Sequence, residues 1–168
     1  MGGKGSRGLH VITLTLKELQ EAHLYRLNNS NEVLPYIVCD EALVKENNPK
    51  MTKNRMLKEH NKTFLNWFKD KIFGNDSASE TLRKLANGPK RNVRTCQVYN
   101  INKYLFYTKS QDDKNTMKNR GVSLKAESRY FATVNDTNPY MAFMPYFRVI
   151  EEIWELNYVK FTMCFFKC

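Results

Sequence analysis

The run Asn87-Gly88-Pro89 separates two kinds of sequence in this 168-residue chain. Before it, apolar residues recur at the spacing of amphipathic helices; after it, aromatic and β-branched residues form short runs typical of strands. Glycine adopts a left-handed helix cap without steric cost, and proline cannot continue a helix. The pattern therefore predicts an α+β protein in which an N-terminal helical segment is followed by a small antiparallel β-sheet or open barrel.

The first part of the chain predicts four helices. Thr15 and Ser77 each precede a glutamate by three residues, which is the capping-box pattern of a helix start, and Asn31 is expected to cap the second helix. The longest helix is predicted between Thr52 and Phe73. Much of its surface is basic, so it is either a solvated face or a helix that lies along phosphates. Its basic residues are Lys53, Arg55, Lys58, Lys62, Lys69 and Lys71.

The second part predicts five or six short strands. Residues 98–107 contain aromatic and β-branched runs on both sides of an asparagine-containing connection at 100–103, which indicates a hairpin. The polar segment 112–120 is expected to be an exposed loop. Further strands are expected near 122–126 and 130–134, so consecutive strands joined by short links predict an antiparallel arrangement.

The last quarter of the chain is less regular. Two prolines and a turn cluster at 135–145 indicate a long connection. Residues 147–156 fit either a helix or a strand, and their β-branched and aromatic side chains favour the strand. Residues 159–165 alternate between apolar and polar, which predicts a half-buried strand. The predicted division is a flexible basic leader at 1–14, a helical segment at 15–92 and an antiparallel β module at 93–168.

Composition excludes several classes of protein. The net charge of +10 favours an anionic partner such as nucleic acid, although a solvated basic surface has the same charge. The sequence has no apolar run long enough for a membrane span and no secretory leader, so no membrane association is expected. The cysteines form no paired C-x-x-C motif, so neither a metal site nor a cofactor is expected, and intracellular reduced thiols are the default. These cysteines are Cys39, Cys96, Cys164 and Cys168.

Acidic residues are the candidates for metal-dependent strand transfer, because that chemistry needs two or three converging carboxylates. Asp112 and Asp113 lie in the predicted loop, where solvated acids are ordinary. Glu151 and Glu152 point to opposite faces of a strand, whereas Glu151 and Glu155 can share a face. Neither group has a setting that indicates catalysis, so the sequence predicts a protein that is not an enzyme.

Two groups of residues are candidates for nucleic-acid binding. A basic segment follows the helical stop, and aromatic and basic residues alternate around the predicted hairpin, where they resemble a surface that stacks bases and contacts phosphates. A second interpretation is that Tyr104 and Phe106 fill one face of a sheet while Tyr107 covers the other. The candidate residues are Lys90, Arg91, Arg94, Lys103, Tyr104, Tyr107 and Lys109.

Five segments of the chain resemble one family in the order in which that family has them. They are EVLPYI at 32–37, EHNKTF at 59–64, LANGP at 85–89, YLFYTKSQDDK at 104–114, and PYFRVIEEIWELNY at 145–158 continued by VKFTMCFFKC. This pattern is similar to the transposase-associated region and C-terminal module of plant CACTA-type (En/Spm-like) transposon proteins. Lys103 and Arg148 depart from it, because the family usually has glycine at both positions.

The resemblance implies a transposon-derived, nuclear plant protein, and both matching modules have no known biochemical activity in the family. It implies a non-catalytic accessory fragment, truncated at its C-terminus, that contributes DNA or protein contacts. The alternative is a protein-interaction module, or an inert relic, without DNA binding. Truncation after Cys168 would leave an exposed strand edge, through which a protein partner or a second copy can bind.

Overall fold

The computed structural model describes residues 3–116, 118–130 and 140–168. Its helices are α1 (Leu16–Asn28), α2 (Leu34–Asn47), α3 (Lys53–Phe73), α4 (Glu80–Asn87) and α5 (Lys109–Asp112). Its strands are β1 (Lys4–Ser6), β2 (His10–Thr13), β3 (Asn92–Cys96), β4 (Val98–Ile101), β5 (Tyr104–Tyr107), β6 (Gly121–Tyr130), β7 (Tyr140–Val149), β8 (Glu152–Asn157) and β9 (Thr162–Lys167). The predicted α+β class is confirmed, and the strands of the described residues form open antiparallel sheets rather than a closed barrel.

Backbone contacts divide the chain into two units. The β unit comprises Met1–His10, Arg94–Glu155 and Cys164–Cys168, and the helical unit comprises Val11–Val93 and Leu156–Met163. The three-part division predicted from the sequence stays a prediction. Strand β1 lies within the predicted leader, and β3 contains the predicted boundary between residues 92 and 93.

The helix starts of the helical unit follow local side-chain chemistry. The capping box at Thr15 is confirmed: its Oγ1 accepts a hydrogen bond from the Glu18 amide, and the Glu18 carboxylate accepts one from the Thr15 amide. The prediction for Ser77 is wrong, because Ser79 caps α4 and accepts from the Leu82 amide at 3.1 Å. Asn31 is likewise not a cap, since Val33 precedes α2 without a side-chain hydrogen bond.

The core of the helical unit follows the inner face of α3. His60, Phe64, Phe68 and Ile72 recur every four residues, so they share one side of the helix and are all buried. Helix α2 packs on this face, where the ring of Tyr36 meets that of Phe68 edge-on with centroids 5.4 Å apart. The helix predicted between residues 52 and 73 is therefore confirmed, and its aromatic residues Phe64 and Phe68 form core.

The predicted end of the helical pattern is also confirmed. Helix α4 ends at Asn87, and Gly88 has a φ of 75° and a ψ of 174°. This conformation is essentially restricted to glycine, but it is extended and differs from the predicted left-handed helical cap. The Gly88 amide donates to the Leu85 carbonyl. A Cβ at this position would lie in ordinary van der Waals contact with the His23 ring, at 3.4 Å, so the backbone conformation rather than space favours glycine.

In the β unit, the predicted hairpin is confirmed as β4 and β5. The strands pair antiparallel from Ile101 opposite Tyr104 to Val98 opposite Tyr107, and β1 pairs with the other edge of β4. The two turn residues, Asn102 and Lys103, have φ values of 51° and 73°. Asparagine tolerates this conformation, whereas lysine is strained in it. Glycine at position 103 would adopt this conformation without steric cost.

A second sheet of the β unit places β8 beside β3, with Trp154 opposite Thr95 and Ile153 opposite Cys96. The interior combines residues from several strands, with a buried group formed by Cys96, Tyr99, Ile150 and Ile153. The preference for strand over helix at 147–156 is confirmed, but a single strand over this range is wrong, because β7 ends at Val149 and β8 begins at Glu152 in another sheet.

The start predicted for the strand at residues 159–165 is wrong. The Tyr158 amide donates to the Phe161 carbonyl at 2.9 Å, and Val159 has a φ of 74°, so these residues form a turn. Strand β9 begins only at Thr162. Alternation alone cannot distinguish the end of a strand from a tight turn whose residues continue the same pattern.

Strands β6 and β7 form a two-stranded antiparallel ribbon ten residues long, paired from Gly121 opposite Val149 to Tyr130 opposite Tyr140. The strand predicted near 122–126 is therefore confirmed. Most of the strand predicted near 130–134 lies outside the described residues. The long connection predicted at 135–145 is wrong for its second half, because β7 begins at Tyr140 despite a proline at position 145.

Candidate nucleic-acid interface

The basic segment after α4 is engaged in contacts within the protein. Arg91 donates from Nη2 to the Leu14 carbonyl at 3.3 Å, and the Lys90 amide donates to the Asn157 carbonyl at 2.9 Å in the same helical unit. Arg94 belongs to the β unit, where its Nη1 lies 3.4 Å from the buried Glu155 carboxylate. All three side chains are nevertheless exposed at the surface. Their nucleic-acid role stays a prediction.

The hairpin candidates do not share one face. Side chains alternate along a strand, so Tyr104 points to the side of Phe106 and Tyr107 to the opposite side. The Phe106 ring packs against Phe166 with centroids 5.1 Å apart, whereas Tyr104 is 73 % exposed. The geometry therefore separates the two tyrosines, as the second interpretation of the sequence has it, but Tyr104 fills no interior space.

The two lysines among the hairpin candidates also have different surroundings. Lys103 is exposed in the strained turn, and Lys109 is exposed at the start of α5 with its Nζ 3.9 Å from the Glu151 carboxylate. Exposed ion pairs of this length contribute little to stability, so Lys109 stays available to other anions. The hairpin thus offers individual contacts rather than a continuous stacking platform.

A more coherent basic surface lies on α3. Arg55, Lys58, Lys62 and Lys69 are separated by three, four and seven residues, which places them along one side of a helix, and all four are exposed. The buried face with His60 and its neighbours lies on the other side. At 1.5 Å per residue the row extends over about 21 Å. We call these four residues the α3 basic row.

The four side chains of the α3 basic row are not neutralised by an internal partner. Within the described part of the chain, none of its four side chains makes an ion pair or hydrogen bond. By contrast, Lys84 and Lys160 both contact the Glu80 carboxylate, and Lys17 approaches Glu21. The contacts from Lys160 and Lys84 lower the pKa of Glu80 to about 2, mainly through the hydrogen bond from Lys160.

The acidic candidates for catalysis are held by basic partners. Asp112 is completely buried, and its Oδ1 accepts a 2.8 Å hydrogen bond from the Asn119 amide while Oδ2 lies 3.7 Å from Arg120 Nε. Asp113 pairs with the same guanidinium. The prediction of an exposed loop from residue 112 is therefore wrong at Asp112. The loop folds over it because Lys118 Nζ donates to the carbonyls of Asp112 and Asn115.

The three glutamates near β8 also have a separate partner each. Glu151 approaches Lys109, Glu152 accepts a 3.0 Å hydrogen bond from the Trp154 indole, and Glu155 lies beside Arg94. The three carboxylates thus have different neighbours and do not converge. Among the described residues, no group of three or more His, Cys, Asp or Glu side chains has a metal-binding arrangement. None of the described helices has the length and apolar character required to cross a membrane.

Comparison with known proteins adds no identification: no family model, no curated protein and no solved structure matches the chain. The resemblance to CACTA-type transposon proteins therefore stays a prediction from the sequence. The α3 basic row was visible in the sequence as part of a basic helix. Recognising the row required the angular position of each basic residue around the helix, relative to the buried face. A helical-wheel projection of residues 53–73 would have shown it.

Proposed function

We propose that this chain is a non-catalytic accessory segment of a CACTA-like transposon protein that binds nucleic acid through the α3 basic row. The observation that carries the binding proposal is the exposure of Arg55, Lys58, Lys62 and Lys69 on one side of a helix without internal partners. The sequence resemblance supports the transposon origin and, with it, a plant nuclear location. The net charge of +10 supports an anionic partner.

The α3 basic row is better suited to contacts with the phosphate backbone than to recognition of base edges. Duplex DNA carries one charge per 1.7 Å of axis, so about twelve phosphate charges lie along a row of about 21 Å. Lysine side chains neutralise phosphates as flexible point charges and release condensed counterions, which favours binding without sequence preference. The proposed activity is therefore salt-dependent retention of nucleic acid.

A protein-interaction module is the second candidate function. It is supported by β9, which has β8 as its single neighbour in its sheet within the described residues. Unpaired backbone groups at a sheet edge accept an added strand from another chain. This alternative requires no contribution from the α3 basic row, so the two functions are separable by mutation.

The decisive experiment is fluorescence anisotropy of labelled duplex and single-stranded DNA, titrated with the protein between low and physiological salt. In the test variant, the four residues of the α3 basic row are replaced by glutamine. We expect wild-type binding that weakens with salt, and at least about a tenfold loss of affinity in the variant at low salt. The slope of log K against log salt should fall by about 3 to 4 if all four residues contact phosphates.

Two further variants make the result specific. Replacing Lys4, Arg7, Lys114 and Lys160 by glutamine removes the same formal charge from other exposed positions, and this control should retain most of the affinity. Replacing Lys90, Arg91 and Arg94 by alanine tests the segment predicted from the sequence. Equal losses in the row variant and its charge-matched control would overturn the assignment to α3, and absence of DNA binding by the folded wild-type chain would overturn the proposed function.

A further inference from the structure

A groove of about 410 Å³ lies between α1 and α3, which both belong to the helical unit. Its volume is within the range of sites that hold small organic groups. Residues of α1 between 17 and 24 line one side, and residues of α3 between 61 and 66 line the other. We call it the α1–α3 groove. Its lining includes Lys62 of the α3 basic row, so the groove opens beside the surface proposed to bind nucleic acid.

Three amide side chains of the groove lining have no partner among the described residues. Gln20, Asn61 and Asn66 are exposed, and none of the three makes a side-chain hydrogen bond within the part of the chain that the structure describes. By contrast, Asn29 and Asn48 donate to backbone carbonyls of the preceding helical turn. An amide side chain has both donors and an acceptor. It can therefore hydrogen-bond the edge of a nucleic-acid base, which also presents donors and acceptors.

The least exposed residues of the groove lining are apolar. Leu24 and Leu65 are half-buried and line the groove from opposite helices. The face of a base packs on apolar or aromatic side chains, whereas its edge requires hydrogen bonds. Leucines beside unpartnered amides suit both parts of a base.

The charge of the groove favours a strand that carries phosphates. Lys62 has no ion-pair partner among the described residues. Lys17 lies 3.8 Å from Glu21, and both side chains are exposed, so this ion pair is weak and the three charges leave a positive balance. Lys58 lies about one turn before Lys62 on α3, and Lys69 lies about two turns after it. Phosphates that follow the α3 basic row therefore pass the opening of the groove.

We propose that the α1–α3 groove holds an unpaired base of a single-stranded nucleic acid whose phosphates contact the α3 basic row. This inference rests on the proposed function and adds to it a preference for single strands. The bases of a duplex are stacked and paired, so none enters a groove between two helices without unpairing. A base of a single strand turns towards the protein at lower cost, and the groove covers its face and contacts its edge.

Fluorescence anisotropy of the full chain tests the inference with a labelled single-stranded DNA, an RNA of the same sequence and the corresponding DNA duplex. In the groove variant, Gln20, Asn61 and Asn66 are replaced by alanine, which helices tolerate. We expect the affinity for at least one of the single strands to fall by about fivefold or more. The affinity for the duplex and the salt dependence should stay unchanged, because no charge is removed.

A control variant removes the same number of exposed amides from positions outside the groove and should bind all three nucleic acids as the wild type does. Circular dichroism of both variants verifies folding. The control replaces by alanine the residues Asn31, Asn47 and Asn87.

A strand that lacks bases gives an independent test. A single-stranded DNA of the same length, built from abasic residues, keeps the phosphates but offers no base to the groove. The wild type should bind it more weakly than the ordinary strand. This difference should be smaller in the groove variant, because the contacts that distinguish the two strands have been removed. An equal difference in both proteins would contradict the groove as the base site.

The outcomes separate this inference from the proposed function. A groove variant that binds both single strands as the wild type does would overturn the inference. An equal loss of affinity for the duplex would also overturn it, because the amides would then contact the backbone. If only the variant of the α3 basic row loses affinity, the proposed function stands and the groove is excluded. Absence of binding by the folded wild-type chain would overturn both.

Discussion

The two units bury polar groups in different ways. In the helical unit, each buried histidine faces a buried partner: His23 Nδ1 lies 3.1 Å from the Tyr158 hydroxyl, and His60 Nδ1 lies 2.6 Å from Asp40 Oδ2. In the β unit, by contrast, the buried carboxylate of Asp112 lies beside Arg120, whose side chain reaches the surface. One unit encloses both partners, whereas the other leaves one partner in contact with water.

This difference has consequences for stability. A buried group whose partner is also buried loses all compensation when that partner is removed. Arg120, by contrast, reaches the surface and stays hydrated when its buried partner Asp112 is removed, so that removal leaves no buried charge without a partner. We therefore expect the helical unit to be more sensitive to single substitutions and to acid than the β unit. Three experiments test this contrast.

The largest effect is expected for His60→Ala. Removing the imidazole leaves Asp40 buried without its hydrogen-bond partner and opens space beside Phe64, whose ring centroid is 4.7 Å from that of His60. We expect a loss of about 3 to 5 kcal/mol in the free energy of unfolding, measured by urea denaturation. Replacing Asp40 and His60 together by leucine should be less destabilising than His60→Ala, because no orphaned charge remains. A loss below about 1 kcal/mol in His60→Ala would contradict the assigned importance of the pair.

The next effect is a dependence of stability on pH that originates at His23. Burial lowers the pKa of His23 from an ordinary value of 6.5 to about 4. Between these values the unfolded chain binds more protons than the folded chain, so stability is complete above about pH 6.5 and declines as the pH falls towards 4. Full protonation should remove about 3 kcal/mol.

Urea unfolding of wild type and His23→Gln at intervals from pH 7.5 to 4 measures this contribution as a difference. The glutamine variant should lose less stability over the range, because it does not titrate there. His10→Gln provides the control, since His10 is exposed. Parallel pH profiles for wild type and His23→Gln would show that acid acts elsewhere in the molecule.

The smallest of the three effects is expected in the β unit, at Asp112. Asp112→Ala removes the acceptor of the Asn119 amide and leaves that donor without its 2.8 Å hydrogen bond, so we expect a loss of about 1 to 3 kcal/mol. Asp112→Asn preserves an acceptor and should be less destabilising. Hydrogen exchange at the amides of residues 118–120 localises the change. A loss for Asp112→Ala larger than that of His60→Ala would reverse the comparison between the units.

Several structures that local chemistry decides were predicted correctly from the sequence. The capping box at Thr15, the helix end at Gly88 and the hairpin turn after Asn100 each depend on residues within a few positions. The choice of Ser79 over Ser77 as a cap also involves neighbouring residues, but only Ser77 has a glutamate three residues later, so the capping-box pattern favoured the wrong serine. The Ser77 amide instead donates a hydrogen bond to Asn75 Oδ1. Local sequence rules do not show whether this hydrogen bond or a helix cap at Ser77 is the more stable arrangement.

The site was less predictable than the fold. The seven residues predicted to bind nucleic acid share only charge or aromatic character. The structure shows Arg91 and Arg94 in internal contacts and the two tyrosines on opposite strand faces. Their binding role stays a prediction. The α3 basic row was part of a recognised basic helix, but which lysines lack a partner depends on which acids the fold brings near.

The sequence by itself determined the α+β class, the helical and strand regions and the basic charge, because helical period, strand composition and turn residues act over short distances. Only the tertiary structure decided that Asp40 is paired inside the helical unit while Val38 faces outward, and that Asp112 is buried within a polar segment. Burial and pairing depend on residues far apart in the chain. Their positions are set by packing and by the requirement that buried polar groups find partners.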